Sequence, residues 1–146
     1  MDLLTSLKIS SSGLTANKKR MAAISSNIAN AQTTKTEEGG AYVPKEVVFQ
    51  AEPVKESFSE ILDAELNEKT KQVIASDVVD SKKAPILKYE PNHPHADENG
   101  YVAYPNINTM EEMANMIEAS RAYEANINAM NTAKSMLMKD LEIGRN

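Results

Sequence analysis

The stretch "TMEEMANMIEASRAYEANINAMNTAKSMLMKDLEI" (residues 109–143) contains neither proline nor glycine and predicts one long helix. Apolar residues recur along it in two rows with a spacing of seven. One row is Met116, Tyr123, Met130 and Leu137, and the other is Met113, Ile127 and Leu141 with polar Ser120 and Lys134. Thr109 and Glu112 have the spacing of an N-terminal capping box, and Gly144 is a natural stop. Such a helix would be about 50 Å long.

The first thirty residues carry a matching pattern. Leu7, Leu14, Met21 and Ile28 lie seven apart, and the adjoining row holds Leu3, Ser10, Asn17 and Ile24. This spacing is typical of a coiled-coil seam. Gly13 lies inside the pattern, where glycine costs about 1 kcal/mol relative to alanine in a helix. Either the helix begins near Leu14 in the isolated chain, or a neighbouring segment approaches closely at Gly13.

Residues 33–108 differ in composition, because all six prolines and three of the five glycines fall there. We expect an extended arm with a short strand at residues 46–50, and a short helix at residues 57–66. The segments "KQVIASDVV" (71–79), "PILKYEP" (85–91) and "GYVAYP" (100–105) are strand candidates.

The sequence therefore predicts a mainly α (α+β) protein. The two terminal segments, residues 1–32 and 109–146, would form a coiled-coil pair of long helices. Residues 33–108 would form an extended arm, a short helix and a small β insert between them. The insert is too small and polar for a core of its own, so it must pack on the helices or on another chain.

Composition restricts the function. The formal net charge of −5 argues against general nucleic-acid binding, and the absence of cysteine excludes disulfides and thiol chemistry. Residues 1–30 carry a net charge of +3 and residues 53–100 a net charge of −4, an asymmetry that could favour head-to-tail contact between copies. No cleavable secretory signal or membrane-spanning run is recognisable.

The sequence offers one arrangement that resembles a metal site, "HPHAD", with His93, His95 and Asp97. Pro94 fixes the backbone between the histidines and no further ligand cluster is present, so a loop between two strands is the better interpretation. Recognisable catalytic motifs are absent and paired carboxylates such as Glu111 and Glu112 fit a helix start. We therefore expect no enzyme activity, cofactor, bound metal or small-molecule substrate.

Three stretches carry a family resemblance. "SSGLTANKKRMAAISSNIANAQT" (11–33) resembles the N-terminal signature of bacterial flagellar rod and hook proteins. "HPHADENGYVAYPNIN" (93–108) and "EEMANMIEASRAYEANINAMNTAKSM" (111–136) are similar to stretches of the proximal rod members of that family. The segment "DAELNEKTKQVIASD" (63–77) matches no diagnostic motif.

The resemblance implies a structural subunit of the basal-body rod, the drive shaft that carries motor torque to the hook and filament. Its partners would be copies of itself, other rod proteins, the inner-membrane ring, rod-base adaptor proteins and the flagellar type III export apparatus. It would leave the cytoplasm without a cleaved signal peptide and lie in the periplasm-spanning rod. The residues expected at the assembly interface are Leu7, Gly13, Leu14, Met21, Ile24, Asn27, Ile28, Asn30, Met113, Met116, Ile117, Tyr123, Ile127, Met130, Leu137 and Leu141.

Two other classes of protein remain open. A soluble coiled-coil adaptor or chaperone would explain the helices but gives no reason for the "HPHADENGYV" stretch. A metal-dependent enzyme built on His93 and His95 would require a bound ion. The polar end of the first helix, "SSNIANAQTT" (25–34), raises a further expectation: Asn27 and Asn30 cap carbonyls or adopt left-handed backbone and so end the helix without glycine.

Overall fold

The structure, a computed structural model, describes residues 3–53 and 71–143. In chain order the described elements are helix α1 (Leu3–Ala29), strands β1 (Lys45–Pro53), β2 (Lys71–Asp80), β3 (Ile86–Tyr89) and β4 (Tyr101–Tyr104), and helix α2 (Thr109–Ile143). The α+β class with two long helices and a small β insert is confirmed. The predicted helix at residues 57–66 lies outside the described residues.

Both helices follow the sequence pattern closely. α1 runs through Gly13 without interruption and has 27 residues, while α2 has 35. Of the two explanations offered for Gly13, the close approach is confirmed, because a Cβ built on Gly13 would lie 3.0 Å from Oδ1 of Asn126. The helix therefore does not have to begin near Leu14. The absence of a side chain at Gly13 leaves room for the side chain of Asn126.

The predicted cap of α2 is wrong by one residue. Oδ1 of Asn108 accepts hydrogen bonds from the backbone N–H of Met110 at 3.1 Å and of Glu111 at 3.4 Å, so Asn108 is the N-cap and Thr109 is already helical. Asparagine and threonine both suit this position, and the sequence "NT" offered both. The side chain of Glu112 accepts a hydrogen bond from Asn27.

The strands form two separate two-stranded sheets, β1 with β2 and β3 with β4. The strand at residues 46–50 is confirmed but extends to Pro53, and the three other strand candidates are confirmed. β3 and β4 are antiparallel, with Ile86 opposite Tyr104 and Tyr89 opposite Tyr101.

The loop between β3 and β4 contains the two histidines, as expected. Oδ1 of Asp97 accepts hydrogen bonds from the backbone N–H of Asn99 at 2.9 Å and of Tyr101 at 2.8 Å. Gly100 has a φ of 82°, a left-handed conformation that favours glycine. The hydrogen bonds to Asp97 and the left-handed conformation of Gly100 together make a tight turn before β4.

The chain divides into two compact units. The described residues of the first are 3–19, 49–53, 71–76 and 120–143, and those of the second are 20–48 and 77–119. In the first unit Ala16 and Ala75 are buried, and Nζ of Lys19 donates to the carbonyl of Ala75 at 3.0 Å. In the second unit Val102 is 1% exposed, and the backbone N–H of Ser81 donates to the carbonyl of Pro44 at 2.7 Å.

Candidate assembly surface

Helices α1 and α2 contact each other in both units. In the second unit Nη2 of Arg20 lies 3.3 Å from Oε2 of Glu118, and Nδ2 of Asn27 donates to Oε2 of Glu112 at 3.3 Å. Moving forward along α1 therefore moves backward along α2, so the helices are antiparallel there. In the first unit the contact is the one between Gly13 and Asn126.

Small residues are buried on both helices. Ala16 and Ala23 on α1 are 2% and 7% exposed, and Ala119 and Ala133 on α2 are 0% and 7% exposed. On α2 these alanines belong to a row with a spacing of seven that also contains Glu112 and Asn126, two of the side chains that contact α1. We name this row, Glu112, Ala119, Asn126 and Ala133, the inner row of α2. Its two alanines leave room for a close approach of the helix backbones.

One large apolar row on each helix, that of Leu14 on α1 and that of Met113 on α2, lies beside this contact. Leu14 follows Gly13 by one residue, and Met113 follows Glu112 by one residue, a rotation of about 100° around each helix. The rows of Leu14 and Met113 are therefore turned to the flank of the α1–α2 contact, whereas the rows of Ile24 and Met116 lie only about 40° from it. Only part of their surface is covered by the chain itself.

The burial of the expected interface residues reflects this rotation. Ile24 and Asn27 are buried at 6% and 3% exposure. Those with intermediate exposure are Leu7, Gly13, Leu14, Met21, Ile28, Asn30, Met116, Tyr123, Ile127, Met130 and Leu137. Those that are exposed are Met113, Ile117 and Leu141, at 53%, 56% and 70%.

Further large apolar side chains of the helices are exposed beyond the expected set. They are Leu4 on α1 and Met110, Met136, Met138 and Ile143 on α2. Met110, Met113 and Ile117 follow one another at helical spacings of three and four and form a continuous apolar patch at the start of α2, which we name the outer patch. Contiguous exposed apolar surface of this kind is typical of sites that bind another protein.

Asn27 connects three segments of the second unit. Its Oδ1 accepts hydrogen bonds from the backbone N–H of Lys45 at 2.8 Å and from the hydroxyl of Tyr42 at 3.1 Å. Its Nδ2 donates to the carbonyl of Lys45 at 2.9 Å and to Glu112. The side chain of Asn27 thereby fixes the arm that follows α1.

Asn30 acts only at the helix end. Its Nδ2 donates to the carbonyl of Ser26 at 2.9 Å, which confirms the expected capping of a carbonyl. The left-handed alternative is wrong, because the residues with positive φ in the described part of the chain are all glycines. A side-chain cap and a following turn thus end α1 where glycine would otherwise be usual.

The two histidines take part in local hydrogen bonds. Nδ1 of His93 accepts from the backbone N–H of His95 at 3.1 Å, and Nδ1 of His95 lies 2.8 Å from Oγ1 of Thr34. Within residues 3–53 and 71–143, no group of three or more histidine, aspartate or glutamate side chains could hold a metal ion. The contact of His95 with Thr34 joins the loop to the arm.

One tyrosine near this loop has altered acidity. The hydroxyl of Tyr104 donates to Oε2 of Glu90 at 2.9 Å. This hydrogen bond, followed by desolvation and by the negative charge of Glu90, raises the pKa of Tyr104 above the ordinary tyrosine value of about 10. Nζ of Lys88 lies 4.5 Å from the centre of the same ring.

Comparisons with known proteins identify the family. A family model described as "Flagella basal body rod protein" matches residues 7–35, and one described as "Flagellar basal body rod FlgEFG protein C-terminal" matches residues 98–143. The chain is 40% identical to the flagellar basal-body rod protein FlgC of Salmonella typhimurium, over 99% of this chain and 100% of the relative. The chain belongs to the FlgC family of flagellar basal-body rod proteins.

Other relatives agree. The FlgC proteins of Bacillus subtilis and Borreliella burgdorferi are 40% and 39% identical to this chain, over 99% and 98% of it. Membership of the FlgC family makes the chain a structural subunit of the flagellar basal-body rod, as the sequence resemblance predicted. None of the helices in the described part of the chain is long and apolar enough to cross a membrane.

Sequence reasoning missed the inner row of this FlgC-family chain. The spacing of seven was found, but it was assigned to the largest apolar side chains. A second signal was present in the alanines: Ala16 and Ala23 lie one period of seven apart, and Ala119 and Ala133 lie two periods apart. Alanine contributes little to hydrophobic periodicity, so this signal is weak in the sequence.

Proposed function

We propose that the chain assembles helically with copies of itself and with other flagellar rod proteins into the shaft that transmits motor torque to the hook and filament. Residues 1–32 and 109–146 would pair as coiled coils inside the shaft, and residues 33–108 would face outward as arm and insert. The role is structural, without catalysis, cofactor, nucleic acid or small-molecule substrate.

The proposal is supported chiefly by the outer patch and the half-buried rows beside it. Met110, Met113 and Ile117 are 74%, 53% and 56% exposed and lie on the side of α2 turned away from its inner row. Covering apolar surface contributes about 25 cal/mol per Å². A neighbouring subunit that covered these side chains would therefore add binding energy at every repeat of the shaft.

The proposal also includes further partners and a route of export. The inner-membrane ring and rod-base adaptor proteins would contact the shaft at its base. The flagellar type III apparatus would export the chain without cleavage of a signal peptide, and the assembled rod would span the periplasm.

A matched pair of substitutions on α2 tests the proposal. Ile117→Asp and Asn128→Asp each place a carboxylate on an exposed position of the same helix, but only Ile117 belongs to the outer patch. We expect Ile117→Asp to reduce the sedimentable assembly of purified protein at least ten-fold, and Asn128→Asp to leave it unchanged. Secretion of both variants by flagellated cells should be equal.

Electron microscopy of the same samples separates the alternatives. Open-ended helical assemblies of the unsubstituted chain support the rod subunit. Closed dimers or tetramers would favour the adaptor or chaperone and contradict the proposal, as would undiminished assembly of Ile117→Asp.

A further inference from the structure

The β3–β4 hairpin presents two different faces. The register places Ile86 opposite Tyr104 and Lys88 opposite Val102, so these four side chains share one face. Leu87, Tyr89, Tyr101 and Ala103 share the other, which we name the aromatic face. Both faces belong to the second unit.

The aromatic face is apolar, exposed and fixed in shape. Leu87, Tyr89 and Tyr101 are 63%, 65% and 43% exposed. The rings of Tyr89 and Tyr101 meet edge to face with their centres 5.4 Å apart. A Cβ built on Gly100 would lie 2.9 Å from Cε2 of Tyr89, so the ring of Tyr89 rests against a backbone position that only glycine leaves open. The face thus projects as a preformed ridge.

The opposite face forms the wall of a groove. The groove has a volume of about 400 Å³ and is lined by Ile86, Lys88 and Tyr104 of this face, and by Pro105 and Ile107 among others. Its size is within the range of sites that accept several side-chain groups. Lys88 is the charged side chain among the lining residues, and Glu90 beside it is hydrogen-bonded to Tyr104.

We propose that the aromatic face of one copy of the chain packs into this groove of a second copy. The proposal rests on the proposed function and names one subunit contact within the rod. Charge supports the pairing, since exposed Asp97 and Glu98 lie in the loop next to Tyr101, and the groove carries Lys88. Apolar surface meets apolar surface, and carboxylates approach an ammonium group.

The two faces of one hairpin produce an open series. The ridge and the groove are different surfaces of the hairpin. A copy whose ridge is bound in the groove of a second copy therefore still has its own groove free to bind the ridge of a third. Heterologous contacts of this kind generate rings if they close and helical filaments if they do not. The strands have only four residues each, so the contact is smaller than the roughly 1,000 Å² expected of an interface that holds alone. It therefore adds to the helix contacts.

Cysteine cross-linking in assembled rods tests the contact, because the sequence contains no cysteine. Leu87→Cys marks the aromatic face and Ile107→Cys the groove. In flagellated cells that express both single variants in place of their own subunit, mild oxidation of isolated rods should give disulfide-linked dimers. Rods with either variant alone, or with Leu87→Cys together with exposed Asn128→Cys, should give none.

Exchanging the charges of Lys88 and Glu98 tests the electrostatic part of the contact. Lys88→Glu in the Ile107→Cys copy should lower the dimer yield at least five-fold, and Glu98→Lys in the Leu87→Cys copy should restore it. Rods that assemble normally but give no mixed dimer, or that link Leu87→Cys to itself, overturn the hairpin contact and leave the helix contacts standing. If the unsubstituted chain forms no rods at all, the proposed function fails instead.

Discussion

The side-chain amide of Asn27 pairs with the backbone of Lys45 as a neighbouring strand would. Its Oδ1 accepts from the N–H of Lys45 at 2.8 Å and its Nδ2 donates to the carbonyl of the same residue at 2.9 Å. Tyr42 and Glu112 take up the remaining acceptor and donor positions. All four hydrogen-bonding positions of one buried amide are therefore used, and they join the end of α1, the arm and the start of α2.

Substitution of Asn27 should be costly. Asn27→Ala leaves the N–H and carbonyl of Lys45 and the hydroxyl of Tyr42 without this partner, and each such loss costs about 1–3 kcal/mol where water cannot replace it. We expect a loss of at least about 2 kcal/mol in the free energy of unfolding, measured by urea unfolding followed by circular dichroism. Asn30→Ala, which removes one carbonyl cap and the local acceptor of the Thr33 hydroxyl, should cost only about 0.5–1.5 kcal/mol.

Asn27→Asp gives a second measurement of the same site. The carboxylate cannot donate to the carbonyl of Lys45 and would lie beside Glu112. Burial and the like charge should raise the pKa of this aspartate in the folded state. The variant should therefore be most stable at acidic pH and lose stability as the pH rises. Equal stability of Asn27→Asp and the unsubstituted chain at neutral pH would contradict the proposed role of the amide.

Gly13 and Asn126 should be energetically coupled. Alanine in a helix interior is favoured over glycine by about 1 kcal/mol. Against this, the new Cβ of Gly13→Ala would lie 3.0 to 3.2 Å from the Asn126 amide, which is itself hydrogen-bonded to the carbonyl of Ala122. As a single substitution, Gly13→Ala should leave the free energy of unfolding almost unchanged or lower it. In the Asn126→Ala background the same substitution should raise the free energy of unfolding by about 1 kcal/mol. Identical effects in the two backgrounds would exclude the close contact.

Tyr104 should ionise at a higher pH than an ordinary tyrosine. A pKa raised in the folded state means that the protonated hydroxyl stabilises the fold. This stabilisation is complete below the unfolded pKa of about 10 and is lost as the pH rises through the higher folded value. A pH titration followed by the ultraviolet absorbance of tyrosinate should therefore show that one of the five tyrosines ionises at a higher pH than the others, a late step. Tyr104→Phe should remove this step, and Glu90→Gln should move it to lower pH. A late step that persists in Tyr104→Phe would assign the raised pKa elsewhere.

Much of the fold could be predicted because its elements have strong local signals. An uninterrupted spacing of seven identifies α2. Short apolar and aromatic runs bounded by proline or glycine identify β3 and β4. The N-cap of α2 was predicted one residue too late because asparagine and threonine are both favoured at this position. Which of Asn108 and Thr109 is the N-cap depends on where the backbone turns into the helix, and the sequence does not show this. The pairing of β1 with β2 depends on contacts distant in sequence, which local patterns do not contain.

The candidate site was only partly accessible to sequence reasoning. The rows of Leu14 and Met113 were found because large apolar side chains dominate any periodicity. The inner row was not, because contacts between closely packed helices use alanine, glycine and asparagine, which carry little hydrophobic signal. The role of Asn27 was also underestimated, since its partners Lys45 and Glu112 lie 18 and 85 residues away along the chain.

The ends of both helices should be less ordered in the isolated chain than in the rod. Leu4 near the start of α1, and Leu141 and Ile143 at the end of α2, are 57%, 70% and 75% exposed, so little tertiary packing stabilises these turns. Helical stability in proteins comes mostly from such packing, and unpacked end turns fray. We expect circular dichroism of dilute monomer to show less helix than the 27 and 35 residues of α1 and α2, with helicity rising on assembly. Amide hydrogen exchange should locate the difference at residues 3–8 and 136–143. Full helicity and uniform protection in the dilute monomer would mean that neighbouring subunits are not needed to order these ends.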